Sequence, residues 1–196
     1  MTATDDQAAA LRAQLDGDYD EHRRLRAGLD ARGAMGGYTA LVTAAFIEAV
    51  DRRFGPWHRD DATVAAFISG VRSRFPGAED EIDQATAERV VRKALGRGSV
   101  SDIDGPAIRR TEMLLLPVMV AGEQYSGEDL DRFLADARSF STAEPAAARP
   151  PGGWLYLRHG SAARPSGDRC LAEKGARELA VQLFISYRSR VCRGRR

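Results

Sequence analysis

At 196 residues, with 43% hydrophobic and 29% charged side chains, the chain is long enough for one good core with a small appendage. No apolar run approaches the roughly 18 to 20 residues that span a bilayer, and the opening MTATDDQAAALRAQ has neither the basic start nor the apolar block of a signal peptide, so a soluble cytoplasmic protein without a membrane role is expected. The net charge of +1 is uneven: residues 151–196 hold nine Arg and one Lys against Asp168, Glu173 and Glu178, a net +7, which leaves −6 on the first 150 residues and argues against nucleic acid as a partner of that acidic body.

From Asp5 to Arg32 the positions Leu11, Leu15, Tyr19, His22, Leu25 or Arg26, and Leu29 step by three and four and share one helical face, with Gly17 placed to split the segment in two. A second helix follows in GGYTALVTAAFIEAVDRRFGPW, with Tyr38, Leu41, Val42, Ala45, Phe46, Ala49, Val50 and Phe54 as a wide apolar stripe and Gly55-Pro56 as the stop. A third opens at Asp60 or Asp61 and presents Val64, Phe67, Ile68, Val71 and Phe75 before Pro76-Gly77. The fourth carries Ile82, Val90, Val91, Ala94 and Leu95, with Asp83 as cap and Gly96 as left-handed terminator.

After the loop GRGSVSDIDG, Pro106 suits the first turn of a fifth helix through Ile108, Leu115, Leu116, Met119 and Val120, with a kink expected at Pro117. The sixth has a capping signature, Ser126 then Asp129, and an apolar face of Leu130, Phe133, Leu134 and Ala137. Six amphipathic helices on short connections predict a mainly α fold, a helical bundle over residues 1–140. Residues 141–153, ending in Pro-Pro-Gly-Gly, read as a linker.

Few side chains in the bundle suggest chemistry. Asp102 and Asp104 in SDIDG lack the further oxygen ligands and terminal Glu of a calcium loop, so a plain loop with a helix cap is expected. His58 stands in a turn with no ligand-spaced neighbour, and His22 falls on the helical stripe as an interface histidine. Cys170 and Cys192 share no ligand spacing with each other or with the three histidines, so neither a disulfide, a structural zinc nor another cofactor is expected. The loop from Gly96 to about Gly105 is too long for a helix-turn-helix, whose turn takes about three or four residues. Acidic runs in AEDEID (78–83) and GEDLDRFLADAR (127–138) oppose helix dipoles, and they also leave room for docking to another protein.

The segment 154–196 differs. Trp154 to Leu157 is an apolar run suited to a buried parallel strand, and it leads into Arg158-His159-Gly160, at the strand end where open α/β sheets bind ligands. A guanidinium grips phosphate oxygens bidentately, a neutral imidazole attacks phosphorus, and glycine lets the backbone approach. LYLRHGSA followed by GDRCLAEKGARELA resembles the opening of the histidine phosphatase superfamily, the phosphoglycerate mutase-like family, over residues 154–187. The resemblance implies that His159 is the histidine that becomes phosphorylated, that Arg158 binds phosphate, and that no metal takes part.

The family also uses a second arginine, an acidic proton donor and a second histidine. No histidine follows Gly160 here, and FISYRSRVCRGRR departs from the second-arginine segment, so leaving-group protonation and half of the phosphate clamp are missing. One strand and one helix also cannot close a doubly wound sheet. The tail is therefore expected to be disordered, packed on the bundle, or the remnant of a truncated or frame-shifted gene, with the Arg-rich end a solvated or disordered terminus. The sequence thus predicts a noncatalytic protein-interaction module with a phosphatase-derived tail; the alternative is a histidine phosphatase acting on phosphomonoesters through a phosphohistidine at His159.

Overall fold

The computed structural model describes residues 3–55, 60–75 and 77–142. Within them the chain forms α1 (Asp5–Leu15), α2 (Tyr19–Ala31), α3 (Met35–Phe54), α4 (Asp61–Arg74), α5 (Ala78–Glu81), α6 (Gln84–Ala94), α7 (Gly105–Glu123) and α8 (Gly127–Thr142). The fold is mainly helical, as the periodicity predicts, and no strand occurs among the described residues. The expected β-α segment at 154–196 lies outside them, as do His58 and most of the linker.

The expected count of six helices becomes eight among the described residues, for two local reasons. Gly17 at φ 81 divides the first periodic segment, because a left-handed residue ends α1 and Asp18 then accepts from the Glu21 N–H to start α2. The second addition, α5, is one turn of four residues opened by Gly77 at φ 81, too short to leave a periodic trace. Ile82, assigned from sequence to the fourth helix, sits before its cap in extended backbone and is buried.

Elsewhere the local signals hold. Asp60, Asp83 and Asp104 each accept from the N–H three residues on, at 2.8, 2.8 and 2.6 Å. Ser126 and Asp129 close a reciprocal capping box. Gly96 at φ 77 ends α6 with its N–H on the Lys93 carbonyl, and the Arg97 N–H reaches the Arg92 carbonyl, a Schellman arrangement. α7 runs on past Pro117, which is buried inside it.

The core forms around α3, whose whole stripe from Tyr38 to Phe54 is buried. α3 touches α1, α2, α6, α7 and α8; α4 packs on α5 and α6, and α6 on α7. Two groups of helices, α1–α2–α8 and α4–α5–α6, therefore lean on a common α3–α7 pair. Polar groups at the first junction are satisfied: buried Gln7 donates to the Ala34 carbonyl at 2.9 Å, and the Tyr38 hydroxyl donates to Gln14 at 2.9 Å. Arg138 of α8 donates to the Ala3 carbonyl at 3.1 Å and to Asp5 at 2.7 Å, which ties the end of the domain to its start.

Candidate functional site

His159 and Arg158, the residues carrying the predicted phosphatase chemistry, lie outside the described residues, and so do Cys170, Cys192 and the basic end. The candidates that are described resolve into structure. The Nδ1 of His22 is 2.8 Å from the Ala10 carbonyl in a buried interface between α1 and α2. Asp102 is held by the Arg89 fork, at 2.9 Å to Nη1, and that bond brings its carboxyl down to about 2, while Asp104 caps α7. No group of three or more His, Cys, Asp or Glu side chains disposed to hold a metal ion occurs among the described residues.

A different place gathers features of a binding site. Where the C-terminal end of α3, the second half of α4 and the end of α7 converge, Arg53, Ala66, Phe67, Gly70, Val71, Arg74, Phe75, Val118 and Gly122 line a cleft of about 280 Å³. The fold dictates its chemistry. Phe67 and Phe75 belong to the α4 stripe, but Phe67 is only half covered: its ring stands edge-on to Phe54, 5.6 Å between centroids, and its other side faces the cleft. Gly70 and Gly122 remove side chains from two walls. At Gly70 an added Cβ would meet nothing within 4 Å, so the wall is open there. At Gly122 a Cβ would stand 3.3 Å from Arg53 Nη1, so a side chain there would press on the guanidinium where it lies against α7.

Arg53 spans the cleft with its guanidinium 4.4 Å from the Phe67 ring centroid, a cation–π contact. Burial pushes the Arg53 pKa down; Glu123 opposes that and the nearby charge of Arg74 adds to it. Neither Arg53 nor Arg74 forms an ion pair among the described residues, whereas Arg52, Arg92, Arg97 and Arg138 on the same domain all do. The cleft thus combines apolar rings with a partly dehydrated cation that feels the charge of Glu123 but forms no ion pair among the described residues, an arrangement that costs the folded chain some solvation and favours an anion.

One more titratable group is buried nearby in sequence. Glu112 of α7 is 6% exposed and accepts from the Thr43 hydroxyl of α3 at 2.8 Å; burial raises its pKa against the pull of that bond and of Arg109. It is sealed at the α3–α7 seam and takes no part in the cleft lining.

Sequence reasoning missed the cleft cations. Arg53 stands in the last turn of α3 and Arg74 in the last turn of α4, where basic side chains complement the helix dipole and need no other reason. The available signal was the coincidence of that basic last turn with an aromatic stripe and helix-interior Gly70. No protein-family model, no curated protein and no solved structure matches this chain.

Proposed function

We propose that the protein is a noncatalytic protein-interaction module whose helical domain receives another protein at the α3–α4–α7 cleft. The observation that supports this is the pairing of partly buried Phe67 with Arg53, an aromatic ring and a guanidinium without an ion pair among the described residues, on one concave surface. Aromatic side chains and arginine are the types that concentrate binding energy at interfaces. In this reading residues 154–196, with Arg158 and His159, are a tail derived from a histidine phosphatase opening.

A photo-crosslinking residue at Ala66, on the cleft rim, tests the proposal in the source cells. The expected result is a discrete covalent adduct that Gly70→Phe, which fills the cleft, abolishes, and that the same probe at exposed Ala27 of α2 does not give. Absence of an adduct at Ala66, or one indifferent to Gly70→Phe, refutes it.

A second reading rests on the LYLRHGSA segment alone: a phosphatase that uses His159 as nucleophile and Arg158 as phosphate clamp. It requires p-nitrophenyl phosphate turnover by the full chain that His159→Ala abolishes. The interaction-module reading expects the two proteins to be equally inactive.

A further inference from the structure

Resting on the interaction-module reading, we infer that the cleft takes an acidic segment of a partner protein that carries one bulky apolar side chain, the side chain entering against Phe67, Phe75 and Val118 while a carboxylate closes on Arg53 and Arg74.

Size argues first. A volume of about 280 Å³ falls just below the roughly 300 to 1,000 Å³ of sites for cofactors and drug-sized ligands, and suits a single anchor side chain of an interface. An anchor of this kind binds by filling a pocket whose surroundings are rigid. Here the walls are helical, and Val71 and Phe75 are themselves buried in the core.

Charge argues second, and it selects among occupants. The first 150 residues carry −6, yet the cleft presents two cations with no ion pair among the described residues. Burial has already removed part of the water from Arg53, so part of the desolvation that an incoming carboxylate would require is already met. The planar fork of a guanidinium suits a carboxylate in two-point contact, and its other face stays on the Phe67 ring. The chain's own segment 151–196, at +7, has the wrong sign to occupy this place.

The glycines argue third. Gly70, on the exposed side of α4, sits where helix propensity prefers almost any other residue. Its open Cβ position means that a side chain would project into free space at the cleft wall. Gly122 similarly leaves Arg53 the room that a methyl group would take.

Fluorescence anisotropy on the full chain tests the inference with three fluorescein-labelled peptides: Asp-Glu-Glu-Phe-Glu-Asp, the same peptide with Ala for Phe, and the same peptide with Lys at every acidic position. The first is expected to bind saturably, more weakly as salt rises, and at least about tenfold more tightly than the other two, a difference of about 1.4 kcal/mol. Arg53→Met and Gly70→Phe should each weaken it by a similar factor while thermal unfolding shows both variants folded. Gly70→Phe guards against loss of fold, because its site is exposed and helical. No saturation by the first peptide, equal binding of all three, or binding untouched by both substitutions overturns the inference. Equal binding of the Phe and Ala peptides would mark a mere anion site, and preference for a second copy of the chain, seen as dimerisation lost in Gly70→Phe, would replace the partner with the protein itself. A cleft-dependent adduct at Ala66 without acidic-peptide binding leaves the module reading standing and removes only this inference; loss of the adduct removes the module reading.

Discussion

Adjacent arginines at the end of α3 meet opposite environments. Arg52 turns toward α8, where it donates to Glu48 and Asp136, both at 2.7 Å, reaches the Tyr125 hydroxyl at 3.3 Å, and lies 5.1 Å from the centroid of the Phe133 ring. Burial works against its charge, but the bonds to Glu48 and Tyr125 outweigh that and its pKa is raised. Arg53 turns toward α4 and α7, stacks on Phe67 and forms no ion pair among the described residues, so burial prevails over the pull of Glu123 and its pKa falls. One residue along a helix, about 100° of rotation, separates a cation that closes a seam from one that leaves a seam open. Completed polar networks belong to structure, and incomplete ones are where a partner's groups can be useful.

The sealed side should carry the larger energies. Phe133 is fully buried beneath Arg52, and Phe133→Ala is expected to destabilise the domain by about 3–5 kcal/mol in urea unfolding. Phe67→Ala, at the half-covered ring of the open side, should cost clearly less, and equal losses would erase the distinction between the two seams. The arginines themselves give the next contrast. Arg52→Met takes a donor from Glu48 and from Asp136, whose side chains are 17% and 29% exposed, and should cost about 1–3 kcal/mol. Arg53→Met has no ion pair to lose and gives up only the cation–π contact with Phe67, so it should cost no more than about 1 kcal/mol while binding at the cleft falls. An Arg53→Met protein as unstable as Arg52→Met would show that Arg53 is structural.

This contrast explains what could be read from the sequence. The α3 stripe was legible because eight buried positions from Tyr38 to Phe54 repeat at helical spacing, and tertiary contacts only had to follow the period. Caps such as Asp60, Asp83, Asp104 and Ser126 were legible because a cap is settled within three residues. The one-turn α5 was not, since four residues do not complete a pattern. The cleft was not legible either: it joins Arg53 with residues 66–75 and with Val118 and Gly122, an adjacency set by how α4 and α7 lie against α3. Phe67 reads as one more core position in the sequence, and only packing shows that it is partly exposed and lines the cleft. The one chemical motif that was legible, Arg158-His159-Gly160, falls outside the described residues.

A smaller effect, readable by pH, tests whether the α3–α7 seam away from the cleft is as closed as its geometry implies. Glu112 is buried there with the Thr43 hydroxyl donating to it, and burial raises its pKa above the ordinary glutamate value of about 4.3. An acid raised in the folded state binds its proton more tightly there than in the unfolded chain. Its favourable contribution is therefore complete below the unfolded pKa and is lost as pH rises through the folded one. Asp60, Asp83, Asp102 and Asp129 act in the other direction: their hydrogen bonds lower their pKa values, so stability gained above the ordinary aspartate range is lost in acid. The raw profile mixes the two signs, but Glu112→Gln isolates the first, because the amide oxygen can still accept from Thr43 and nothing at that position titrates. Relative to the parent, Glu112→Gln should gain stability as pH climbs through and above the ordinary glutamate range. If the difference between the two proteins is flat across it, water reaches Glu112, and the α3–α7 seam is open along more of its length than the cleft alone.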